Sequence, residues 1–214
     1  MEIDIYFDPV CPWCFIGKRR LERALAQRPE QNPTVRWRTF QLNPEMPQEG
    51  MERSHYLTMK FGFGKRARYL YENICKVGTS VGIEFAFDKI SRTPNTIQAH
   101  RLIRYSNGMP QSDAVIERLF VRYFVEGRPI DNTEALIQIA VEAGLNENDA
   151  TTYLLGDENL MEVRQEDSAA RRLGIQGVPC FIINNHFSLS GAHEPEAFIP
   201  IFEIASQEVS ESTT

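Results

Sequence analysis

Several features that mark special classes of protein are scarce or missing in these 214 residues. No stretch approaches the ~20 consecutive apolar residues that a helix needs to cross a bilayer. Residues 1–7 carry acids where a secretory signal needs a basic and then an apolar segment. Positive charge is also in deficit, because 23 Lys and Arg stand against 29 Asp and Glu, a net charge of −6. We therefore expect a cytoplasmic protein that binds neither membrane nor nucleic acid.

Cysteine is scarce as well. The chain has 4 cysteines, too few for a small fold held together by disulfides. A reducing compartment keeps such cysteines as thiols unless they carry out redox chemistry. Their spacing is therefore more informative than their number.

Two of the cysteines form a Cys-Pro-Trp-Cys motif, in which Cys11 and Cys14 flank Pro12 and Trp13. Helical spacing predicts an amphipathic helix over residues 11–28 that begins at this motif. Unpaired N–H groups and the positive end of the helix dipole favour a thiolate at Cys11, whereas Cys14 continues into the core-facing stripe. We predict that Cys11 is an exposed nucleophile and that Cys14 is the buried resolving thiol.

The other two cysteines, Cys75 and Cys180, are isolated in the sequence. A structural zinc site takes four ligands, and no second paired spacing supplies them. We expect no metal site and predict buried thiols at both positions. The basic residues of the first helix, including Lys18, are predicted to form a solvated face.

Periodicity predicts how the chain is organised. Polar–apolar alternation predicts strands at 2–8 and 34–42, and helical spacing predicts helices at 51–61, 67–81, 95–106, 112–125 and 133–143. A helix at 158–173, a hairpin of strands 178–183 and 186–190, and a helix at 195–206 follow. Neither end can bury a sheet alone, so both ends are expected to pair. We predict an α/β fold with a discontinuous domain (1–42 and 157–208), an all-helical insertion (43–156) and a flexible tail (209–214).

A second motif, Gly177-Val178-Pro179, directly precedes an apolar run. An X-Pro bond is cis in only about 5% of folded cases, so this tripeptide alone does not separate a cis peptide from a trans proline that starts a strand.

These motifs carry a family resemblance that covers nearly the whole chain. Residues 8–14, 177–179, 190–192 (Ser-Gly-Ala) and 95–101 resemble the DsbA-like thioredoxin family, specifically its FrnE branch of cytoplasmic dithiol oxidoreductases. The resemblance implies a thioredoxin-like fold with a large helical insertion, a cis peptide at Val178–Pro179, and Cys11 and Cys14 as the catalytic pair. Cys180 departs from the family, which more often has a small or apolar residue after this proline.

Three functions remain open at this point. The first is a cytoplasmic thiol-disulfide oxidoreductase or isomerase, with a disulfide-containing protein or a small thiol as substrate. The second is a glutathione-dependent enzyme similar to 2-hydroxychromene-2-carboxylate isomerases or kappa-class glutathione transferases, which usually carry serine at the position of Cys11. The third is a partner-binding or zinc-holding module. We favour the first and expect no tightly bound cofactor, with glutathione as a candidate co-substrate.

The predicted site combines the catalytic cysteines with residues expected to contact substrate: Pro12, Trp13, Val178, Pro179, Asn95 and His100. The helical insertion is expected to cover the dithiol and to form a pocket, with Phe40 and Asn43 also near it. The oligomeric state is not predicted.

Overall fold

The computed structural model describes residues 1–62 and 65–211. Its strands are β1 (Glu2–Phe7), β2 (Thr34–Thr39), β3 (Met51–Glu52), β4 (Arg92–Thr93), β5 (Cys180–Ile183) and β6 (Phe187–Ser190). Its α-helices are α1 (Pro12–Ala26), α2 (Arg53–Phe61), α3 (Lys65–Ser80), α4 (Ile97–Ser106), α5 (Ser112–Phe120), α6 (Thr133–Glu142), α7 (Glu147–Leu155), α8 (Leu160–Arg172) and α9 (Ile199–Glu211). A π-helical segment, Val121–Val125, continues α5.

Strands from both ends of the chain form one four-stranded sheet, in the order β2-β1-β5-β6. β1 runs parallel to β2, and β5 is antiparallel to β1 and β6. Ile3 of β1 lies opposite Ile183 of β5, 180 residues later in the chain. The predicted pairing of the two ends is therefore confirmed.

The two faces of this sheet are covered by different helices. Because successive side chains of a strand point to opposite faces, Ile3, Ile5 and Phe7 of β1 all enter the main apolar core, to which α1 and α9 also contribute. On the other face, α8 packs over β2, and a smaller apolar cluster includes Phe40 and Ala170.

The segment between β2 and α8 is mostly helical, as predicted, with α4 in contact with α5, α6, α7 and α8. It also contains the short antiparallel pair β3–β4, which was not predicted. Helix α7 was missed because its sequence has no clear apolar stripe, although Asn146 caps it by accepting the Asp149 N–H at 3.1 Å. Helix α9 runs past the predicted end at Ser206 to Glu211, and residues 212–214 of the predicted tail lie outside the described residues.

Two of the basic residues of α1, Lys18 and Arg20, are buried, contrary to the prediction, whereas Arg23 is exposed as predicted. Lys18 is 2% exposed, and its ammonium contacts the carboxylates of Glu22, Asp113 and Glu117. Burial opposes the charge of Lys18, but the hydrogen bond to Glu22 and the charge of Asp113 outweigh it and raise its pKa. The prediction failed at Lys18 because α5 lies beside it and supplies Asp113 and Glu117. None of the helices within the described ranges is both long and apolar enough to cross a membrane.

Candidate active site

Cys11 occupies the N-cap position of α1, directly before Pro12. Its backbone N–H donates to the Asp8 carbonyl at 2.9 Å, and its carbonyl accepts from the Cys14 N–H at 3.0 Å, so a tight turn joins β1 to α1. The Cys11 thiol donates to the Val178 carbonyl at 3.5 Å. The prediction of an exposed Cys11 is wrong: the residue is 4% exposed, because the loop before β5 lies against it.

Cys14 lies one turn into α1 and is 1% exposed, as its place on the core-facing stripe predicts. Burial raises the pKa of the Cys14 thiol well above its usual value, and the neighbouring Cys11 thiol adds to the shift. Asp8 acts on Cys14 in two opposite ways, since its backbone N–H lowers this pKa by hydrogen bonding and its negative charge raises it. Cys14 therefore holds its proton at neutral pH.

The peptide bond between Val178 and Pro179 is cis. The Pro179 ring packs against α1 at Gly17, where a Cβ would lie 2.9 Å from Pro179 Cγ and 3.2 Å from the Phe181 ring. Only glycine permits this approach, which holds the loop beside the Cys-Pro-Trp-Cys motif. The two residues between the cysteines, Pro12 and Trp13, are half-buried.

Asp8 and His100 form a buried pair next to the dithiol. The Asp8 carboxyl accepts the Leu42 N–H at 2.6 Å and the Val10 N–H at 3.4 Å, and its Oδ1 lies 3.8 Å from His100 Nε2. Burial raises the pKa of Asp8 to about 7 and lowers the pKa of His100 to about 3. Near neutral pH the imidazole is uncharged and the carboxyl is close to its own midpoint.

Sequence reasoning missed Asp8 and gave His100 a different position. The signal for Asp8 was an acid at the end of an alternating strand, followed by proline and three residues before Cys11. His100 was predicted to contact substrate, but it is fully buried at 0% exposure, so it does not reach the protein surface. Helix α4, which carries it, packs against β2 and α8 and turns this side chain into the core.

Asn95 and Phe40 are held by contacts within the protein. Asn95 donates its amide N–H to the Met46 carbonyl at 2.6 Å and accepts the Ile97 N–H at 3.0 Å at the start of α4. Phe40 is 2% exposed, with the Arg171 guanidinium 4.4 Å from its ring centroid. The structure thus gives both residues structural contacts, and their predicted place around a substrate pocket stays a prediction.

Asn43 lines a groove at the start of the insertion. The groove has a volume of about 410 Å³ and is lined by Leu42, Asn43, Pro44, Glu45, Met46, Pro47, Met51, Tyr56, Met59 and Lys60. Tyr56 donates its hydroxyl proton to Asn43 Oδ1 at 3.3 Å. Leu42, whose N–H binds Asp8, connects this groove to the turn that carries the dithiol.

The remaining cysteines lie elsewhere. Cys180 is 3% exposed and packs in the smaller cluster with Phe40, across the sheet from the core that contains Cys14. Cys75, on α3, is partly exposed rather than buried, and burial of what is covered raises its pKa. All four cysteines are free thiols. Within residues 1–62 and 65–211, no three His, Cys, Asp or Glu side chains are grouped so as to hold a metal ion.

Comparison with known families now adds to this geometry. The family model described as the DSBA-like thioredoxin domain matches residues 2–200. The chain belongs to this family. The thioredoxin-like fold predicted from the sequence is therefore confirmed, as is the predicted resemblance to DsbA-like proteins.

Solved structures agree with the assignment. The probable DsbA oxidoreductase SCO1869 from Streptomyces coelicolor is 28% identical, with a TM-score of 0.87, covering 97% of this chain and 91% of its own. A 2-hydroxychromene-2-carboxylate isomerase is 18% identical (TM-score 0.69; 100% and 98% covered). The cytosolic disulfide reductase DsbM from Pseudomonas aeruginosa, solved with GSH, is 17% identical (TM-score 0.63; 100% and 99% covered). The last two share the fold.

Proposed function

We propose that this protein is a cytoplasmic thiol-disulfide oxidoreductase of the FrnE branch, with Cys11 as nucleophile and Cys14 as resolving thiol. The observation that carries the proposal is the asymmetry of the two thiols: Cys11 caps α1 beside the Val178 carbonyl, while Cys14 is buried one turn further on with a raised pKa. A helix N-terminus favours negative charge on the first sulfur. Burial keeps the second protonated until it is needed.

The reaction proceeds in two exchanges. The Cys11 thiolate attacks one sulfur of a substrate disulfide and forms a mixed disulfide, while the other substrate sulfur leaves as a thiolate. Cys14 then attacks Cys11 Sγ, which closes the Cys11–Cys14 disulfide and releases the second substrate thiol. The substrate is reduced by two electrons and the protein dithiol is oxidised by two; the reverse direction oxidises a dithiol substrate.

Substrate is proposed to bind at two places around Cys11. An extended segment beside the sulfur under attack can pair with the backbone of Val178, next to Pro179. Side chains further along the substrate can enter the groove of Leu42–Lys60, where Met46, Met51 and Met59 offer adaptable apolar contacts. Pro12 and Trp13, between the cysteines, contact the same bound segment.

Glutathione is proposed as a small thiol that recycles the dithiol, supported by the GSH bound to the cytosolic disulfide reductase of the same fold. The alternative, a glutathione-dependent isomerase or transferase, is supported by the fold shared with 2-hydroxychromene-2-carboxylate isomerase. Two cysteines in one motif favour redox turnover over that alternative, because isomerisation requires no resolving thiol.

Equilibration in glutathione redox buffers tests the proposal. The Cys75→Ser/Cys180→Ser protein isolates the dithiol, and alkylation followed by mass spectrometry counts its free thiols. We expect a cooperative change from two free thiols to a Cys11–Cys14 disulfide. In the Cys14→Ser variant we expect a mixed disulfide between Cys11 and glutathione instead. Glutathione binding with no Cys11–Cys14 disulfide at any buffer ratio would favour the isomerase.

A further inference from the structure

We propose that Arg20 is a positioning residue for substrate binding: from helix α1 it holds the turn of residues 190–194 beside the Val178–Pro179 loop. This turn is called the 190–194 turn below. The inference deepens the proposed function and rests on it, since it concerns what keeps two substrate-binding loops at a fixed distance from the dithiol.

The 190–194 turn and the Val178–Pro179 loop border the same cleft. The cleft has a volume of about 540 Å³, and the residues that line it include Gly177 and Val178 from one loop and Ser190 and Gly191 from the other. Val178 connects the cleft to the dithiol, because its carbonyl accepts the Cys11 thiol at 3.5 Å. A substrate segment that pairs with the Val178 backbone therefore enters a space whose shape depends on the turn.

The turn is bonded internally and to Pro179. The Gly191 N–H donates to the Pro179 carbonyl at 2.7 Å, and the His193 N–H donates to the Gly191 carbonyl at 3.0 Å. The His193 ring Nε2 lies 2.8 Å from the Ser190 carbonyl and donates to it. Gly191 has a φ of +101°, a backbone conformation that favours glycine. These bonds hold the turn in one shape, so one further contact is enough to fix its position.

Arg20 supplies that contact from α1. Its guanidinium donates to the Ala192 carbonyl and pairs with the Glu194 carboxylate. Arg20 follows Gly17 by three residues, which places both on the same face of α1. The Pro179 ring packs at Gly17. Helix α1, which carries the dithiol at its start, therefore holds both loops, one by packing and the other by hydrogen bonding.

The surroundings of Arg20 favour a role in positioning over a role in stability. Arg20 is 7% exposed, and among the described residues none accepts a hydrogen bond from its Nε. Burial of a cation costs free energy, and its acidic partner Glu194 has a side chain that is 66% exposed. Replacing Arg20 by an apolar residue of similar length leaves no buried charge behind. We therefore expect such a variant to fold and to remain nearly as stable as the parent.

The test compares two disulfide substrates of different size, well below the unfolding temperature. All proteins carry Cys75→Ser, which removes the partly exposed thiol that would also react with the aromatic disulfide DTNB. Fluorescein-labelled insulin, with dithiothreitol as reductant, must lay a chain segment along both loops. DTNB is small and needs only the Cys11 thiolate, which the loop packed at Gly17 still flanks.

Arg20→Met should raise KM for insulin about 10-fold and leave kcat and the DTNB rate within about 2-fold, because a displaced turn weakens binding without changing the reacting sulfurs. Arg20→Lys, which keeps the charge but has one nitrogen to donate from, should restore part of the affinity. Glu194→Gln leaves the bond to the Ala192 carbonyl and should keep KM near that of the parent.

Arg23→Met is the matched control. Arg23 is an exposed basic residue of the same helix, and its guanidinium donates to the Ser80 carbonyl at 3.1 Å, away from both loops. We expect the KM, the kcat and the DTNB rate of this variant to equal those of the parent.

Two results would overturn the inference. One is an Arg20→Met protein with the parent's KM for insulin. The other is loss of insulin and DTNB rates by the same factor together with a lower urea midpoint, since a merely structural role acts by reducing the folded fraction. If Arg20→Met does not fold, KM of Arg20→Lys decides. Failure of the proposed function looks different, because the parent would then not reduce insulin and would form no Cys11–Cys14 disulfide.

Discussion

Asp4 and Asp8 lie four residues apart and are both buried, but their carboxylates have different neighbours. Asp4 accepts hydrogen bonds from Arg36 at 2.9 Å and Arg38 at 2.7 Å, in a ladder of charges on the face covered by α8. Asp8 has amides and an uncharged imidazole instead of a cation. The arginines therefore tie Asp4 into a ladder of ion pairs, whereas burial without a neighbouring cation raises the pKa of Asp8 to about 7.

Two cysteines also differ in their surroundings, and the largest expected effect of a substitution tests that difference. Cys11 caps α1 beside Val178, whereas Cys180 packs in the smaller cluster across the sheet. Cys11→Ser should reduce disulfide reduction to the rate without enzyme, because no nucleophile remains, and Cys180→Ser should keep the parent rate. Insulin reduction followed by turbidity measures both. If the Cys180→Ser protein were as inactive as the Cys11→Ser protein, the redox chemistry would depend on the opposite face of the sheet, and the proposed role of Cys11 would be contradicted.

The second prediction concerns pH and stability at Asp8. Its pKa is raised by burial from 3.8 to about 7 in the folded protein, so the folded state binds more protons than the unfolded state between these values. The contribution of Asp8 to stability therefore falls as pH rises across this window, by at most about 4 kcal/mol. His100, with its pKa lowered to about 3, contributes in the opposite direction. The comparison must therefore be made between variants.

Urea unfolding of the parent and Asp8→Asn proteins from pH 4 to pH 8 isolates the Asp8 contribution. The parent should lose stability relative to Asp8→Asn as pH rises. A stability difference that is constant with pH contradicts an Asp8 carboxyl that titrates near neutral pH.

The third prediction concerns the contact between α1 and the loop before β5. Gly17→Ala should lower the free energy of unfolding by about 1–3 kcal/mol and slow thiol exchange, because the new methyl overlaps the Pro179 ring. Gly177→Ala, in the same loop, is the matched control: nothing lies within 4 Å of its Cβ, and we expect a change within about 0.5 kcal/mol. Denaturant unfolding measures the stability of both variants, and the rate of reaction with the aromatic disulfide DTNB measures their thiol exchange. Equal effects of the two substitutions would remove the packing argument.

The smallest effect is expected at Asp4. Asp4→Asn removes its ion pairs with Arg36 and Arg38, whose guanidinium groups remain partly solvated, so we expect a loss of about 1 kcal/mol that shrinks at high salt. The rate of thiol exchange with DTNB should not change. A stability loss that is independent of salt would mean that the ladder acts through packing.

Prediction from sequence worked where the signal was local in the chain. The Cys-Pro-Trp-Cys motif at a helix start and the alternation of β1 and β2 fixed the elements that build the sheet, and Val178–Pro179 marked the loop that meets Cys11. These patterns record which residues are buried on one element. They depend little on what packs against its other side.

Prediction from sequence failed where the burial of a residue depends on another element that packs against it. Lys18 was predicted to be solvated because helical spacing describes α1 alone. In the structure, α5 supplies Asp113 and Glu117 to Lys18. Cys11 was expected to be exposed because the covering loop comes more than 160 residues later. The pair of Asp8 and His100 could not be found by spacing, since it joins a strand end to the insertion.

The pairing of Ile3 with Ile183 has a consequence for how the protein is made. Chains emerge from the ribosome with the N-terminus first, so Cys11 and Cys14 are synthesised well before β5 and the Val178 loop exist. Until that strand docks, the Val178 carbonyl that accepts from the Cys11 thiol is absent, and the core that buries Cys14 lacks Phe181 and Ile183. The surroundings that distinguish Cys11 from Cys14 are therefore complete only when the C-terminal strands join β1, a late step for a chain made from its N-terminus.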